Sequence, residues 1–167
     1  MTTTTLILIS AAVLSIVISL MAAFTARTWS PAAALASLAV LFFTPGMEVS
    51  PDSLAFWSVA AVIALGINML LPREISTSHV GVGYITGASL AGAFVGMLLS
   101  GAGIIIGAVA GALCGGIAFS RTPAGQILGF PSRKFFNYLC AKGLPIVTVT
   151  SIAVISVSKI YSGLYPF

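Results

Sequence analysis

Charged residues are scarce in this chain. Asp, Glu, Lys and Arg together make up 6% of its 167 residues, whereas a soluble domain carries about 25%. Polar side chains are therefore too few to cover the surface of a water-soluble protein, and 59% of the residues are hydrophobic. With a mean hydropathy of +1.15, this composition predicts a single all-α, polytopic transmembrane domain over residues 1–167.

The groups that catalysis or metal binding requires are also scarce. The chain has three acidic residues, one histidine and two cysteines. His79 has no second histidine or cysteine beside it, and Cys114 and Cys140 lie at different predicted depths. We therefore predict that the protein is not an enzyme and holds no metal or cofactor. Its few basic residues lie in short loops, which is a topology signal and predicts no nucleic-acid partner.

Apolar runs separated by polar or proline-containing breaks predict about six transmembrane spans. The first run lacks a preceding basic segment and a cleavage site, so it is interpreted as a retained span rather than a signal peptide. The second run gives only about 21 Å of helix, so both an oblique crossing and a re-entrant hairpin are open. The predicted spans are residues 6–24, 30–44, 54–71, 80–99, 103–120 and 144–162.

Proline motifs indicate where helices begin and end. The Ser-Pro pairs at positions 30–31 and 50–51 each predict a capping serine followed by proline at the first helical position. Residues 131–142 combine basic and aromatic side chains, which is typical of an interfacial segment at the headgroups. Gly143 and Pro145 are expected to kink or restart the helix between this segment and the last span.

Glycine recurs every fourth residue in the fifth predicted span, which places four glycines on one stripe of a helix. The fourth span carries a similar stripe, and only residues 100–102 join the two. Because bare stripes let two backbones approach closely in lipid, we predict a tight antiparallel hairpin. A second copy of the chain is the alternative partner, which predicts a homo-oligomer. The candidate packing residues are Gly83, Gly87, Gly92, Gly96, Gly103, Gly107, Gly111 and Gly115.

Few polar side chains lie within the predicted spans. Asn68, Thr86 and Ser89 are candidates for a polar path across the membrane, although buried amides and hydroxyls more commonly bridge helices. Arg133 and Lys134 precede the last span and are candidate contacts for lipid headgroups. They act either as an ordinary interfacial anchor or as a specific site for anionic lipid, so membrane lipids are the expected partners.

Basic residues are unevenly divided between the two sides of a six-span topology. With the N-terminus outside, Lys159 is the one basic residue on the outer side, where Glu48 and Asp52 also fall. This distribution follows the positive-inside rule and favours a true crossing for the second span. The predicted inner residues are Arg27, Arg73, Arg121, Arg133, Lys134 and Lys142.

Four segments follow one another in a recognisable order, namely residues 30–44, 67–72, 81–87 and 101–113. In this order the chain resembles a family of small bacterial integral membrane proteins that are rich in glycine zippers and grouped as a domain of unknown function. The resemblance implies a bacterial inner (cytoplasmic) membrane protein and no established activity. Asn68 and Gly116 stand where family members often carry an acid, which argues against a proton-coupled mechanism.

Two classes of function remain open. A homo-oligomeric transporter, channel or lipid-handling protein fits the number of spans, and the lack of charge within them favours a neutral or amphipathic substrate. A structural or accessory subunit, bound to an unidentified membrane protein, fits the small size and short loops equally well. In either class, leucine at Gly107 or Gly111 is expected to break assembly or folding, and a substitution at Gly116 is expected to matter less.

Overall fold

The computed structural model describes residues 3–25, 28–47, 49–70 and 80–164, apart from the side chain of Asn68. Every regular element within these ranges is an α-helix. The helices are α1 (Thr3–Phe24), α2 (Ser30–Phe42), α3 (Pro51–Leu70), α4 (Val82–Met97), α5 (Gly101–Ser120) and α6 (Arg133–Leu164).

Three of these helices, α1, α5 and α6, are long and apolar enough to cross a membrane. The shorter apolar helices are α2, α4 and the part of α3 over Pro51–Ile67. At 1.5 Å per residue, the 13 residues of α2 extend about 20 Å, against a hydrocarbon core about 30 Å thick. The predicted all-helical membrane protein is confirmed.

The two Ser-Pro motifs begin their helices in different ways. At α3 the Ser53 amide donates a hydrogen bond to Ser50 Oγ (3.3 Å), as expected for a capping serine. At α2 the cap position is Trp29, whose side chain makes no capping bond. The prediction that Ser30 caps α2 is wrong, because the helix begins one residue earlier than predicted. The Trp29 carbonyl accepts the first amide hydrogen bonds of the helix, from Ala32 and Ala33 (3.0 and 3.2 Å), so Ser30 lies within the first turn.

The last helix, α6, is continuous over 32 residues. Of the two alternatives predicted at Gly143 and Pro145, a restart of the helix is wrong, since the helix runs through both residues. Both residues are buried, and membrane helices tolerate proline where neighbouring helices re-satisfy the freed backbone groups. The continuous helix also carries Lys142 into the bundle, where its side chain is 4% exposed.

Within the described chain, α6 is the central helix and packs against each of α1 to α5. In an apolar 18-residue stretch of α6, 72% of the residues are buried, whereas 28% are buried in the corresponding stretch of α1. It is also the least apolar of the helices, and polar side chains avoid the hydrocarbon of the bilayer. The most polar helix therefore takes the interior position. Its buried polar side chains are Lys142, Thr148, Thr150, Ser151 and Ser156.

The hairpin of α4 and α5 is held together by direct contact between glycine backbones. A Cβ on Gly107 would overlap the carbonyl oxygen of Gly92 and lie 2.8 Å from its carbonyl carbon. Three further pairs of residues make the same kind of contact along the two antiparallel helices. Small residues permit such a close approach of backbones in membrane helices. The further pairs are Gly96 with Gly103, Ala88 with Gly111, and Tyr84 with Gly115.

The remaining glycines of α4, Gly83 and Gly87, lie on the opposite face of that helix. Both are exposed, and a Cβ on either would meet no heavy atom of the described chain within 4 Å. They therefore do not pack on α5, and packing on a second copy of the chain stays a prediction for them. At 100° per residue they lie about 140–180° away from Gly92 and Gly96, so the four glycines cannot share one face.

Contacts along α6 give the directions of its neighbours. Tyr138 hydrogen-bonds to the Val80 carbonyl, and Ser89 contacts Thr150 farther along both helices, so α4 runs parallel to α6. The loop that follows α2 lies against Gly163 at the far end of α6, so α2 runs in this direction as well. Because α5 is antiparallel to α4, the helices whose contacts are described alternate in direction.

Candidate functional site

A buried pair of hydroxyl groups joins α4, α5 and α6. Ser89 Oγ donates to the Ala108 carbonyl oxygen (3.0 Å) and lies 2.9 Å from Thr150 Oγ1. With Ser89 donating to Ala108, Thr150 Oγ1 has one proton to share between Ser89 Oγ and the Ile146 carbonyl of its own helix (2.9 Å). Both side chains are fully buried. This arrangement bridges helices, as hydroxyls inside membrane bundles commonly do.

The candidates for a polar path are not connected to one another by an open surface. Thr86 lies one turn before Ser89 and is fully buried, and its hydroxyl has no hydrogen-bond partner among the described residues. Ser151 and Ser156 of α6 have the same two properties. The side chain of Asn68 lies outside the described residues. Thr86 and Ser89 are thus buried within the bundle, and the polar path stays a prediction.

Aromatic rings gather at the end of the bundle where α4 begins, α5 ends and α6 begins. The rings of Tyr84 and Tyr138 each lie 5.9 Å from the ring of Phe119. The Tyr138 hydroxyl donates to the Val80 carbonyl. Gly81, with φ of +79°, packs directly on this cluster, where a Cβ would lie 2.5 Å from Phe119 Cδ1. Tyrosines in such positions are typical of a membrane–water interface.

The same end of the bundle carries exposed positive charge. Arg121 follows α5, and Arg133 and Lys134 begin α6; all three residues are exposed. The first turn of α6 is already capped, since the Phe135 amide donates to Ser132 Oγ (3.1 Å). The groups that carry a full positive charge at this end are the guanidinium and ammonium side chains.

One face of α6 leads from this charged end toward the middle of the helix. At 100° per residue, Arg133 and Asn137 each lie within about 20° of the direction of Leu144, and all three are exposed. These residues form the α6 strip (Arg133, Asn137 and Leu144). The neighbouring cation, Lys134, points about 80° away from Leu144 and so lies off the strip.

The inner end of the α6 strip opens into a groove between α3 and α6, the α3–α6 groove, of about 290 Å³. Small or well-buried residues, Ala60, Ala64 and Thr148, form its floor, and bulkier exposed side chains form its rim. Thr148 Oγ1 donates to the Leu144 carbonyl (2.9 Å), so the floor has no free donor. The lining residues are Phe56, Val59, Ala60, Ile63, Ala64, Leu144 and Thr148.

The groove has almost no signal in the sequence. Alanine, valine and isoleucine are ordinary residues of apolar helices, so their identity does not mark a site. The only local sign is that small Ala60 and Ala64 are interleaved with bulky Phe56 and Ile63 at helical spacing. This face becomes one wall of a groove only because α3 packs on α6, a helix that is far from it in the sequence.

No family model, curated protein or solved structure matches the chain. The family resemblance therefore stays a prediction, and function is inferred from the site alone. Among the described residues, no group of three or more His, Cys, Asp or Glu side chains is placed to hold a metal. Cys114 and Cys140 are exposed free thiols. Several residues of the sequence-based predictions lie outside the described ranges: Arg27, Glu48, Arg73 and His79.

Proposed function

We propose that the protein is a lipid-handling protein of the bacterial inner membrane, with one acyl chain of the lipid held in the α3–α6 groove. The observation that carries this proposal is the groove itself, which is apolar and open on the outer face of the bundle. It extends about 12 Å along α3, from Phe56 to Ala64, compared with about 15 Å of hydrocarbon in one leaflet. The distal part of an acyl chain fits this length.

Transport of a polar solute has less support than lipid handling. Its candidate residues Thr86 and Ser89 are fully buried, and Ser89 is engaged by Ala108 and Thr150. Moving a polar solute through this bundle would require α4 and α6 to separate. A lipid chain reaches the α3–α6 groove from the side, without any change in the packing of the core.

A matched pair of variants on α3 tests the lipid site. Ala60→Phe places a ring on the floor of the groove, and Ala55→Phe places the same ring on an exposed position of α3 that does not line it. The number of lipids retained by gently extracted protein is counted by native mass spectrometry. We expect Ala60→Phe to lose the retained lipid and Ala55→Phe to keep it. Equal retention in both variants, or no retention by the parent protein, contradicts the proposal.

The same mass spectra test the predicted assembly. A homo-oligomer appears as an integral multiple of the 17.0 kDa chain, with bound lipid added to each copy. Recovery of the chain only in a complex with a different protein would instead support the accessory-subunit alternative.

We also propose six crossings with the N-terminus outside. The support is the alternation of helix directions and the separation of charge: Arg121 and Arg133 lie at one end, and Asp52 begins α3 near the other. Single reporter cysteines at positions 52 and 121, in a chain with Cys114 and Cys140 replaced by alanine, test this topology. An impermeant thiol reagent should label position 52 from outside and position 121 from inside. Labelling of both from one side contradicts it.

A further inference from the structure

Resting on the proposed lipid site, we infer that its ligand is a glycerophospholipid whose headgroup carries a net negative charge and is bound by Arg133. The inference combines two features of the same helix face. The α6 strip begins at an exposed guanidinium and ends in the α3–α6 groove. An amphipathic anion matches both ends of this surface.

The length of the strip fits one leaflet. Leu144 lies about 16 Å along α6 from Arg133, and Thr148 lies about 22 Å from it. The hydrocarbon of a leaflet is about 15 Å thick, and the headgroup layer adds about 5–7 Å. A phosphate at the level of Arg133 therefore places the end of its acyl chain between Leu144 and Thr148, within the groove. Asn137 lies between the two ends and offers amide donors to the ester or phosphate oxygens.

The charge at this end favours a headgroup without a cation of its own. Arg121, Arg133 and Lys134 are exposed here, whereas Asp52, the acidic residue within the described ranges, begins α3 near the opposite end of the bundle. A guanidinium binds a phosphate through two parallel hydrogen bonds. A choline headgroup would bring a second cation into an already positive region, which costs affinity. Phosphatidylglycerol brings none.

Two charge-neutralising variants at the same depth distinguish a specific contact between Arg133 and the headgroup from a diffuse attraction between the basic end of the bundle and anionic lipid. Arg133→Gln removes the cation on the strip, and Lys134→Gln removes one that lies about 80° off it. The full-length protein is titrated with phosphatidylglycerol and with phosphatidylcholine of identical acyl chains, and bound lipid is counted by native mass spectrometry. We expect the parent protein to prefer phosphatidylglycerol by at least about fivefold. Arg133→Gln should abolish this preference without changing the retention of phosphatidylcholine, and Lys134→Gln should largely keep it.

The outcomes distinguish this inference from the lipid site on which it rests. Equal binding of both lipids by the parent protein, with loss of both in Ala60→Phe, overturns the anionic headgroup and leaves the lipid site standing. An equal loss of preference in Arg133→Gln and Lys134→Gln also overturns the inference, because the attraction would then be diffuse. Absence of any lipid that depends on the groove overturns the proposed function itself. Circular dichroism and thermal unfolding of each variant verify that it is folded.

Discussion

Gly107→Ala should destabilise the protein, although alanine is normally the better residue in a helix. Gly107 lies in the middle of α5, where its Cα hydrogens point at the backbone of Gly92 in α4. A methyl group at this position would overlap the Gly92 carbonyl oxygen and lie 2.8 Å from the carbonyl carbon. Neither atom can turn aside as a flexible side chain does, so the two helices must move apart.

The size of the effect follows from this geometry. Ordinary contacts between carbon atoms lie at about 3.5–4.0 Å, so the helices must separate by roughly 1 Å. A gap of 0.5–1 Å forfeits about a quarter to a half of each dispersion contact along the hairpin, and overpacking of a well-filled core typically costs about 1–3 kcal/mol. The gain in helix propensity from glycine to alanine, about 1 kcal/mol, offsets only part of that. Subtracting that gain from the overpacking cost leaves a net loss of up to about 2 kcal/mol, with about 1 kcal/mol as the central expectation.

Gly87→Ala is the matched control for this prediction. It makes the same chemical change on α4, where a Cβ meets nothing of the described chain within 4 Å. The free energy of unfolding is measured by titration with a denaturing detergent, with the fluorescence of the two tryptophans, exposed Trp29 and buried Trp57, as the signal. Gly107→Ala should lower it, and Gly87→Ala should leave it unchanged or raise it slightly, with both variants inserted normally. Equal stability of Gly107→Ala and the parent protein would refute the close packing of α4 on α5.

Three further substitutions test other contacts with the same unfolding assay. Gly116→Ala meets only two side-chain ends, at 3.1 and 3.3 Å, so it should cost less than half as much as Gly107→Ala; an equal cost would contradict this. Ser89→Ala removes the hydroxyl bridge and should cost about 0.6–1.7 kcal/mol; no change would mean that the bridge contributes nothing. Tyr138→Phe keeps the ring stack but loses the hydrogen bond to Val80, and should cost about 0.5–1.5 kcal/mol; a stable variant would show that the ring alone is sufficient.

The fourth and fifth spans show how far a sequence pattern reaches. Spacing alone correctly paired the Gly92 and Gly96 face of α4 with the glycines of α5, since a short connection leaves two membrane helices little choice but to pack antiparallel. The same spacing was misleading for Gly83 and Gly87. Their four-residue interval is identical, but their rotation about the helix axis differs, and only the phase of the stripe tells a buried glycine from an exposed one.

The last span carries a different kind of signal. Its many hydroxyl groups and Lys142 are visible in the sequence. In water a polar helix belongs at the surface, whereas in lipid it belongs at the centre. If a polar helix is expected at the centre of a bundle in lipid, the polarity of residues 142–158 is sufficient to predict that α6 is the central helix. Its continuity through Pro145 is not predictable in this way, because it depends on the helices that enclose it.

The sequence by itself determined that this is an all-helical membrane protein, because composition and the length of apolar runs fix which solvent a helix can face. It also determined where a basic end of the bundle would lie, since charged side chains are excluded from hydrocarbon. The tertiary structure alone decided that Thr86 and Ser89 are buried and that α3 and α6 enclose an apolar groove in line with Arg133. A groove is the space left between two helices, and no single segment of sequence encodes that space.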